Sequence, residues 1–331
     1  MAFKICLIGC GGMADSGHGP MLRKYASMRR GVELAACCDV MRERAEGFAA
    51  NYGFSKAYAD MAEMLEAEKP DGALLSVPVE HTARLAVEIL LRKIPLLTEK
   101  PPGTTMEEGR AIVEAAKQAG VPASAAFNRR TMPLVEELMA EIDAVGEPID
   151  SLAVEMCRVN RTEPDFSMTA IHDVDLARYL CRSDYKSARF QYRVHGHAAP
   201  AADIHMLAET ESGATVRLSF LPMCGLLSER VTVHLHGHTI MAELPVYGSL
   251  DLPGRIVHVE GNAVRRVIAG RQYGHMAEAN GFLGEHASFF DAVREGSTPE
   301  HSVEGSLQSL EVACRMSLRL PGYDKTAGGM A

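Results

Sequence analysis

A glycine-rich hexapeptide directly follows the first short apolar run of this sequence. Residues 9–14 read Gly-Cys-Gly-Gly-Met-Ala and fit the pattern G-x-G-x-x-A. In this pattern the first glycine permits a tight turn, the second lets the backbone approach a pyrophosphate, and the small sixth residue lets a helix pack closely on the strand. Amides at the start of that helix favour an anion. We therefore predict a dinucleotide site with contacts from Gly9, Gly11, Gly12, Met13 and Ala14.

An acidic residue, Asp39, closes the second apolar run, Glu33–Cys38. In a dinucleotide-binding unit an acidic side chain at this position accepts hydrogen bonds from the adenine ribose. Asp39 lies further from Gly11 than usual, which we attribute to a longer first helix. Its carboxylate would repel a ribose 2′-phosphate, so NAD is favoured over NADP, with Val40 as a further contact, whereas Arg42 leaves NADP open. The alternative is that Asp39 caps the next helix.

The elements that must position these residues alternate along the first 127 residues. Five apolar runs separated by helical stretches are predicted strands: Phe3–Ile8, Glu33–Cys38, Gly72–Val77, Pro95–Leu97 and Val121–Phe127. Strands that are continuously apolar indicate a parallel sheet covered on both faces. After Asn128 the predicted strands alternate in polarity: Ile149–Val159, Ala188–His195, Ile204–Thr210, Thr215–Phe220, Arg230–His236, Thr239–Glu243, Arg255–Glu260 and Ala263–Ile268. A chain of 331 residues is therefore predicted to form two domains, 1–127 and 128–331.

The composition excludes several classes of partner. With 34 basic and 43 acidic residues the formal net charge is -9, which argues against binding nucleic acid. No apolar stretch is long enough to span a bilayer, so no membrane partner is expected. The eight cysteines form no CxxC pair and no export signal precedes them, which predicts reduced, buried thiols in a cytoplasmic protein.

Three further segments contain side chains that do chemistry. They are Ser76-Val77-Pro78-x-x-His81, Glu99-Lys100-Pro101 and Ile171-His172-Asp173-Val174-Asp175-Leu176-Ala177-Arg178. Together with the glycine-rich turn, they resemble the Gfo/Idh/MocA family of glucose–fructose oxidoreductases, inositol dehydrogenases and rhizopine-catabolism proteins over nearly the whole chain. The resemblance implies an α/β fold, with an N-terminal doubly wound Rossmann domain and a C-terminal domain built on a large, open, mainly antiparallel sheet. It also implies NAD(P)-dependent hydride transfer at a carbinol carbon of a sugar, cyclitol or related polyol.

The same resemblance implies a set of site residues. Those expected to line the cofactor pocket are Ser76, Pro78, His81, Glu99 and Lys100. Those expected to meet the substrate are Lys100, Asn128, Arg158, Met168 and His172. Glu99 and Lys100 would flank the nicotinamide ribose, and Lys100 and His172 would face the reacting hydroxyl group.

The reaction itself requires a base beside that hydroxyl group. Hydride leaves a carbinol carbon only as the O–H proton is removed. The positive charge of an oxidised nicotinamide and partial burial would both depress the pKa of Lys100. Lys100 is therefore predicted to be the base, and His172 to relay the proton or hold the hydroxyl group. The alternatives are an ordinary surface lysine and a structural pair between His172 and Asp175.

The sequence departs from the family pattern one helical turn before His172. Many members of the family carry a carboxylate there, whereas this chain has Met168, whose thioether exchanges no proton. Asp165, seven residues before His172, is a candidate catalytic substitute or a helix-start residue. Either two catalytic residues suffice, or the substrate is not a simple cyclitol, or catalysis has been lost.

Other polar residues of the second domain keep structural alternatives. Arg158 and Arg161 would bind an acidic or hydroxylated substrate, or pair with Glu155 or Glu163. The domain also contains many histidines: His195, His197, His205, His234, His236, His238, His258 and His275. No carboxylate or cysteine stands at a matching spacing, so no metal site is predicted.

Two further functions use the same residues. Transient oxidation beside a glycosidic carbon would acidify a neighbouring C–H group and permit elimination, which gives an NAD-dependent glycoside lyase or hydrolase. A non-catalytic nucleotide-binding regulatory protein is the third reading, supported by Met168. The open sheet of the second domain needs cover on its exposed face, and the family resemblance implies that another subunit covers it, which predicts a homodimer or homotetramer.

Overall fold

A computed structural model describes residues 2–196 and 201–326. Its backbone contacts divide the chain into two compact units, Met1–Asn128 with Gly281–Leu310, and Arg129–Asn280 with Glu311–Ala331. The sequence interpretation assigned everything after residue 127 to one domain, whereas these contacts group Gly281–Leu310 with the first unit.

The strands of the described residues alternate with helices in the first half of the chain. The strands are β1 (Phe3–Ile8), β2 (Val32–Cys38), β3 (Lys56–Tyr58), β4 (Gly72–Leu75), β5 (Leu96–Glu99), β6 (Ala123–Ala126), β7 (Ile149–Cys157), β8 (Tyr185–Val194), β9 (Ala202–Thr210), β10 (Thr215–Leu221), β11 (Ser228–Leu235), β12 (His238–Glu243), β13 (Arg255–Glu260), β14 (Ala263–Ala269) and β15 (Gly322–Asp324). The helices are α1 (Gly19–Met28), α2 (Arg42–Tyr52), α3 (Met61–Glu68), α4 (Val79–Leu91), α5 (Met106–Ala119), α6 (Pro133–Val145), α7 (Ser167–Cys181), α8 (Met276–Ala279), α9 (Phe282–Glu295) and α10 (Val303–Ser317). Among the described residues, no helix has the length and apolar character needed to cross a membrane.

The first unit is built on a six-stranded sheet in the order β3-β2-β1-β4-β5-β6. Every strand pair in it is parallel. All four residues of β4 are buried, so both faces of the sheet are covered, by helices such as α2 and α4. The predicted parallel sheet is confirmed, and the structure adds the short edge strand β3.

The first helix begins with an unusual turn. Ala14–His18 forms a π-helical turn, closed by the amide of Gly19 donating to the carbonyl oxygen of Ala14. A Cβ atom on Gly17 would lie 2.6 Å from the ring of Phe282, so this turn packs directly on α9. The π-helical turn therefore brings His18 into the interior, where it is buried.

Aromatic side chains explain why α9 belongs to the first unit. Phe289 and Phe290 are buried on α9. The ring of Phe290 packs edge-on against Phe3 of β1, and it also contacts the tilted ring of Tyr25 on α1. Arg29 adds an ion pair with Asp291 at 2.8 Å. The chain thus returns after the second unit to complete the apolar core of the first.

The second unit is built on a nine-stranded sheet in the order β14-β13-β12-β11-β7-β10-β9-β8-β15. Its pairs are antiparallel apart from the parallel pair β7–β10. The predicted large, mainly antiparallel sheet is confirmed. Alternate residues of β10 are buried and exposed, because α6 and α7 pack on one face only.

The other face of this sheet, which we call the open face, carries apolar side chains. Cross-strand register places Leu207, Met241 and Val267 in one row across it. All three are exposed, at 53%, 39% and 58% of their surface. Beside this row lie charged residues of alternating sign: Glu155, Arg230, Glu243 and Arg255.

Candidate functional site

The turn after β1 is so tight that its first position has no room for a side chain. Gly9 has a φ of 91°, and a Cβ atom there would lie 2.0 Å from the carbonyl oxygen of Ser76. Its amide donates to the carbonyl oxygen of Cys38 at 2.8 Å. The carboxyl ends of β1, β2 and β4 therefore meet at this turn.

Beyond Gly9 the backbone faces open space. Cβ atoms on Gly11 and Gly12 would have no heavy atom within 4 Å. Met13 is exposed, whereas Ala14 is fully buried, as close packing of the helix requires. The open backbone at the start of a helix fits the pyrophosphate of a dinucleotide.

Asp39 lies against the same turn, with only 7% of its surface exposed. Its Oδ2 accepts the amide of Cys10 at 3.0 Å, and its Oδ1 accepts the amide of Met41, next to the start of α2, at 2.9 Å. Each carboxylate oxygen has two lone pairs, so both retain capacity to accept from ribose hydroxyls. Ribose binding and a helix-start role for Asp39 are therefore compatible. The adjacent Val40 is almost completely exposed.

The cation beside Asp39 is Arg44, which sequence reasoning missed. Arg44 Nη1 lies 3.5 Å from Asp39 Oδ2. Arg42, the residue that left NADP open, instead pairs with Glu46 at 2.9 Å on the exposed side of α2. The i,i+4 spacing of Arg42 and Glu46 was the signal available for that pair.

The end of β4 contributes to the turn from the other side. Ser76 is buried, and its amide donates to the carbonyl oxygen of Ile8 at 2.7 Å. Pro78 precedes α4, and the exposed His81 lies in the first turn of that helix. The structure therefore brings Ser76 directly against the glycine-rich turn and leaves Pro78 and His81 at the surface.

Glu99 ends β5 with its carboxylate turned into the first unit. The side chain is 13% exposed, and Oε1 lies 2.7 Å from Nε2 of His18. Oε2 accepts the amide of Lys100 at 3.1 Å. Burial opposes ionisation of Glu99, but His18 and Lys100 outweigh it and hold the pKa of Glu99 below its ordinary value. A carboxylate therefore lies directly beside Lys100.

The histidine that holds Glu99 was not among the predicted site residues. Nδ1 of His18 lies 2.9 Å from Nε2 of His286 on α9, and both rings are fully buried. Burial, reinforced by the neighbouring His18, lowers the pKa of His286 well below its ordinary value. His18 and His286 are 268 residues apart, so no local spacing marks the contact.

In the second unit, α7 carries the other candidate catalytic residues. His172 is buried on this helix, and Met168 is half-buried in its first turn. Oδ1 of Asp165 accepts the amide of Ser167 at 2.9 Å, and Oδ2 accepts the hydroxyl of Ser317 at 2.8 Å. These bonds favour the helix-start role of Asp165.

Asp173, the residue after His172, belongs to a buried cluster of charged side chains. Glu229 is fully buried, and Arg129 donates to both its oxygens, at 2.9 and 3.1 Å. Burial opposes ionisation of Glu229, but Arg129 and Arg158 hold its pKa below the ordinary value. Burial and the charge of Glu229 raise the pKa of the fully buried Asp173 well above its usual range. Asp173 therefore favours the protonated form, a property that its sequence neighbours do not reveal.

Arg158, expected to contact the substrate, is held inside the second unit. Its guanidinium pairs with Glu229 and donates to the carbonyl oxygens of Cys157 and Ser228 at 3.0 and 3.1 Å. This geometry favours a structural role, because a buried guanidinium needs a carboxylate and further acceptors. Arg161 pairs with Glu163, as its alternative interpretation proposed.

The sequence also singled out Asp175 and Asn128. Asp175 accepts two bonds from Arg130, at 2.5 and 2.7 Å. Asn128 is buried at the end of the first unit. Both residues are buried, whereas Val40 and His81 are exposed.

Several histidines of the second unit bond to neighbouring strands of the sheet or to helix α6. His195 lies 2.7 Å from Asp203, and His238 lies 3.0 Å from His258, which in turn lies 3.0 Å from Glu141. His197 falls outside the described residues. Within residues 2–196 and 201–326, the cluster whose donor atoms all lie within 4.8 Å is instead in the first unit: His18, Glu285 and His286.

Comparison with known proteins shows what this chain is similar to. Residues 3–127 match the family model GFO_IDH_MocA, described as an oxidoreductase family with an NAD-binding Rossmann fold. The inositol 2-dehydrogenase of Salmonella typhimurium is 26% identical over 262 residues, which are 75% of this chain and 76% of that one. The first unit is therefore similar to the NAD-binding domain of the Gfo/Idh/MocA oxidoreductases.

Two further proteins resemble the chain, one in sequence and one in fold. The scyllo-inositol 2-dehydrogenase (NAD(+)) of Bacillus subtilis is 28% identical over 173 residues, half of this chain and 51% of that one. An Agrobacterium radiobacter oxidoreductase, solved with NAD+, L-tartaric acid and magnesium, has a TM-score of 0.82 at 17% identity over 99% of this chain and 100% of that one. The likeness to that structure establishes the fold.

The buried acids of α7 generate a pH-dependent prediction. Because the pKa of Asp173 is raised by folding, its contribution to stability declines as pH rises from the unfolded value near 3.8 towards the folded value. Asp173→Asn replaces the carboxyl group with an amide that is neutral at every pH. The free energy of unfolding of this variant, minus that of wild type, should therefore increase from pH 5 to pH 9, by at most about 1.4 kcal/mol per pH unit. Urea denaturation at both pH values measures this.

Asp175→Asn on the same helix is the matched control. It removes the carboxylate partner of Arg130, whose side chain is only 10% exposed, and should cost about 3–5 kcal/mol. A difference between Asp173→Asn and wild type that does not change with pH would contradict the protonated state of Asp173.

Proposed function

We propose that this protein is an NAD-dependent oxidoreductase that transfers hydride between nicotinamide and a carbinol or carbonyl carbon of a sugar, cyclitol or related polyol. The observation that carries the proposal is the ionised Glu99 beside Lys100 in the same unit as the open glycine-rich turn. Relatives named inositol 2-dehydrogenase support the substrate class. We place the protein in the cytoplasm, where buried thiols such as its cysteines stay reduced.

The proposed preference for NAD over NADP depends on Asp39. Its carboxylate is nearly buried and bonded to the amides of Cys10 and Met41, so it is fixed where an adenine ribose would bind. A 2′-phosphate would bring a second negative charge next to it. Arg44 offsets part of this repulsion from a more exposed position.

Lys100 and His172 are the proposed proton-handling residues. When bound, the oxidised nicotinamide accepts the hydride from the carbinol carbon. Lys100 would accept the proton of the hydroxyl group, and His172 would hold that group or pass the proton on. The thioether of Met168 exchanges no proton, so Lys100 and His172 would be the residues that transfer it. Asp165, held by Ser167 and Ser317, contributes by starting α7.

The cofactor is tested by calorimetry with NAD+ and NADP+. We expect NAD+ to bind about tenfold or more tightly than NADP+, because of the charge on Asp39. Gly11→Ala should weaken NAD+ binding about tenfold, since its methyl group enters the space left for the pyrophosphate. The melting temperature of Gly11→Ala should stay close to that of wild type, because that methyl group meets no protein atom within 4 Å. Binding of neither nucleotide would refute the proposed function.

Turnover is tested with a panel of sugars, cyclitols and sugar acids, followed at the nicotinamide absorbance. Lys100→Ala should lower kcat by about 10²–10⁴-fold and largely spare the affinity for NAD+. Lys117→Ala, which breaks only an exposed ion pair with Glu304, is the matched control and should keep wild-type turnover. An active Lys100→Ala enzyme would remove Lys100 from the mechanism. Cleavage of a glycoside without net NADH would favour the lyase or hydrolase reaction instead.

We further propose that the open face of the second unit binds a second copy of this chain. The face combines the exposed apolar row of Leu207, Met241 and Val267 with charges of alternating sign. A two-fold axis lets such a row of alternating charges meet its own copy with opposite charges in contact. The resulting assembly would be a homodimer or homotetramer.

Light scattering on a sizing column tests this assembly. We expect a mass of about two or four times the 35.9 kDa chain. Met241→Arg should shift the population towards monomer, because it introduces unpaired charge at the centre of the face. Leu91→Arg, at an exposed site of the first unit, is the control and should leave the mass unchanged. A monomer mass for the wild-type chain would refute the proposal.

A further inference from the structure

The first unit contains a buried cluster of titratable side chains that the proposed reaction does not use directly. We call it the His18 cluster; it comprises His18 of the π-helical turn, Glu99 at the end of β5, and Glu285 and His286 of α9. Burying ionisable groups costs stability unless they bond to one another. The cluster joins three elements that are far apart in the sequence.

The geometry of the two imidazole rings indicates a shared proton. Nδ1 of His18 and Nε2 of His286 are 2.9 Å apart, an ordinary hydrogen-bond length. Two nitrogens on one tetrahedral zinc ion, each about 2.0–2.1 Å from it, would lie about 3.3 Å apart. Although Glu285 lies close enough to complete a donor set, the spacing of the rings favours an N–H···N bond.

The direction of the bond from His18 to Glu99 is fixed by chemistry. An ionised carboxylate only accepts hydrogen bonds, so Nε2 of His18 must carry the hydrogen in the 2.7 Å contact with Glu99. A neutral His18 then accepts at Nδ1 from His286, and a protonated His18 donates to it. Either way, His286 fixes the ring of His18 so that its N–H points at Glu99.

We propose that His18, supported by His286, is a positioning residue that keeps Glu99 ionised and fixed beside Lys100. The inference rests on the proposed function, in which Lys100 exchanges the substrate proton. Oε2 of the fixed carboxylate accepts the amide of Lys100, and the positive charge of Lys100 in turn favours the ionised form of Glu99. His18 thereby acts on the reaction through Glu99, without touching substrate or cofactor.

The charged and titratable groups around Glu99 determine what the loss of His18 does. Lys100 follows it directly after β5, and His18 faces it from the π-helical turn. Glu285 and His286 belong to α9 behind that turn. Burial raises the pKa of Glu99, whereas His18 is the strongest of the opposing contacts. Without His18, Glu99 will therefore take up a proton at higher pH.

The test compares His18→Ala with His18→Gln in the complete protein. In His18→Ala we expect kcat to fall about tenfold or more and the acid limb of the kcat–pH profile to move up by about one pH unit. The affinity for NAD+ should change less than about threefold. Glutamine restores a donor to Glu99, so His18→Gln should recover most of kcat and return the acid limb towards that of wild type.

His205→Gln provides the matched control. This half-buried histidine of the second unit bonds to Ser219 at 3.1 Å, and its replacement should change neither kcat nor the pH profile. A His18→Ala enzyme with wild-type kcat and pH profile would overturn the proposal, as would a His18→Gln enzyme no better than His18→Ala. Tight, stoichiometric Zn²⁺ binding that His286→Gln abolishes would also overturn it in favour of a metal site.

A carboxyl titration separates this inference from the proposed function. In cofactor-free protein labelled with ¹³C-glutamate, the signal missing in Glu99→Gln identifies Glu99, and its midpoint should rise in His18→Ala. If His18→Ala does not fold, His286→Ala provides the same readout, with a smaller rise, because it removes only the support behind His18. If the wild-type protein turns over no polyol, the proposed function is refuted. If the titration midpoint of Glu99 is the same in His18→Ala as in wild type, the positioning role of His18 is refuted.

Discussion

Gly9 leaves no space between the ends of β1 and β4, and the arrangement of the cofactor unit depends on that close approach. The backbone turns so near the carbonyl group of Ser76 that any Cβ atom would overlap it. The turn directs the amide of Cys10 at Asp39 and starts the helical segment that carries His18 to Glu99. A wider turn would separate these contacts from one another, so one backbone contact fixes the positions of two carboxylates.

The sequence predicted most of the fold because buried strands have a clear apolar signature. The strands Phe3–Ile8 and Arg255–Glu260 agree with the structure at both ends, and the other predicted strands differ by a few residues. The edge strands β3 and β15 escaped prediction, because three residues at a sheet edge bury too little apolar surface to produce a pattern. The grouping of Gly281–Leu310 with the first unit could not be read from the sequence, because an apolar helix face does not indicate which sheet it covers.

Prediction of the site was less complete, since motifs identify local chemistry and not distant partners. Asp39 was predicted from its position at a strand end, and Lys100 from the resemblance of Glu99-Lys100-Pro101 to a known family. Arg158 was considered only with nearby acids, whereas its partner Glu229 is 71 residues away. His18 escaped notice because its role depends on contacts that the chain makes only after folding.

The π-helical turn has a consequence for how this segment can change. A π-helical turn contains one residue more than an α-helical turn, and successive residues of an α-helix are about 100° apart around its axis. Removing one residue between Ala14 and His18 would restore regular helix and rotate the imidazole out of the interior. Deletion of one residue from this segment should therefore lower stability and activity far more than a substitution at an exposed position such as Ser16. The length of this segment is therefore constrained together with the identity of Gly17 and His18, which pack inside it.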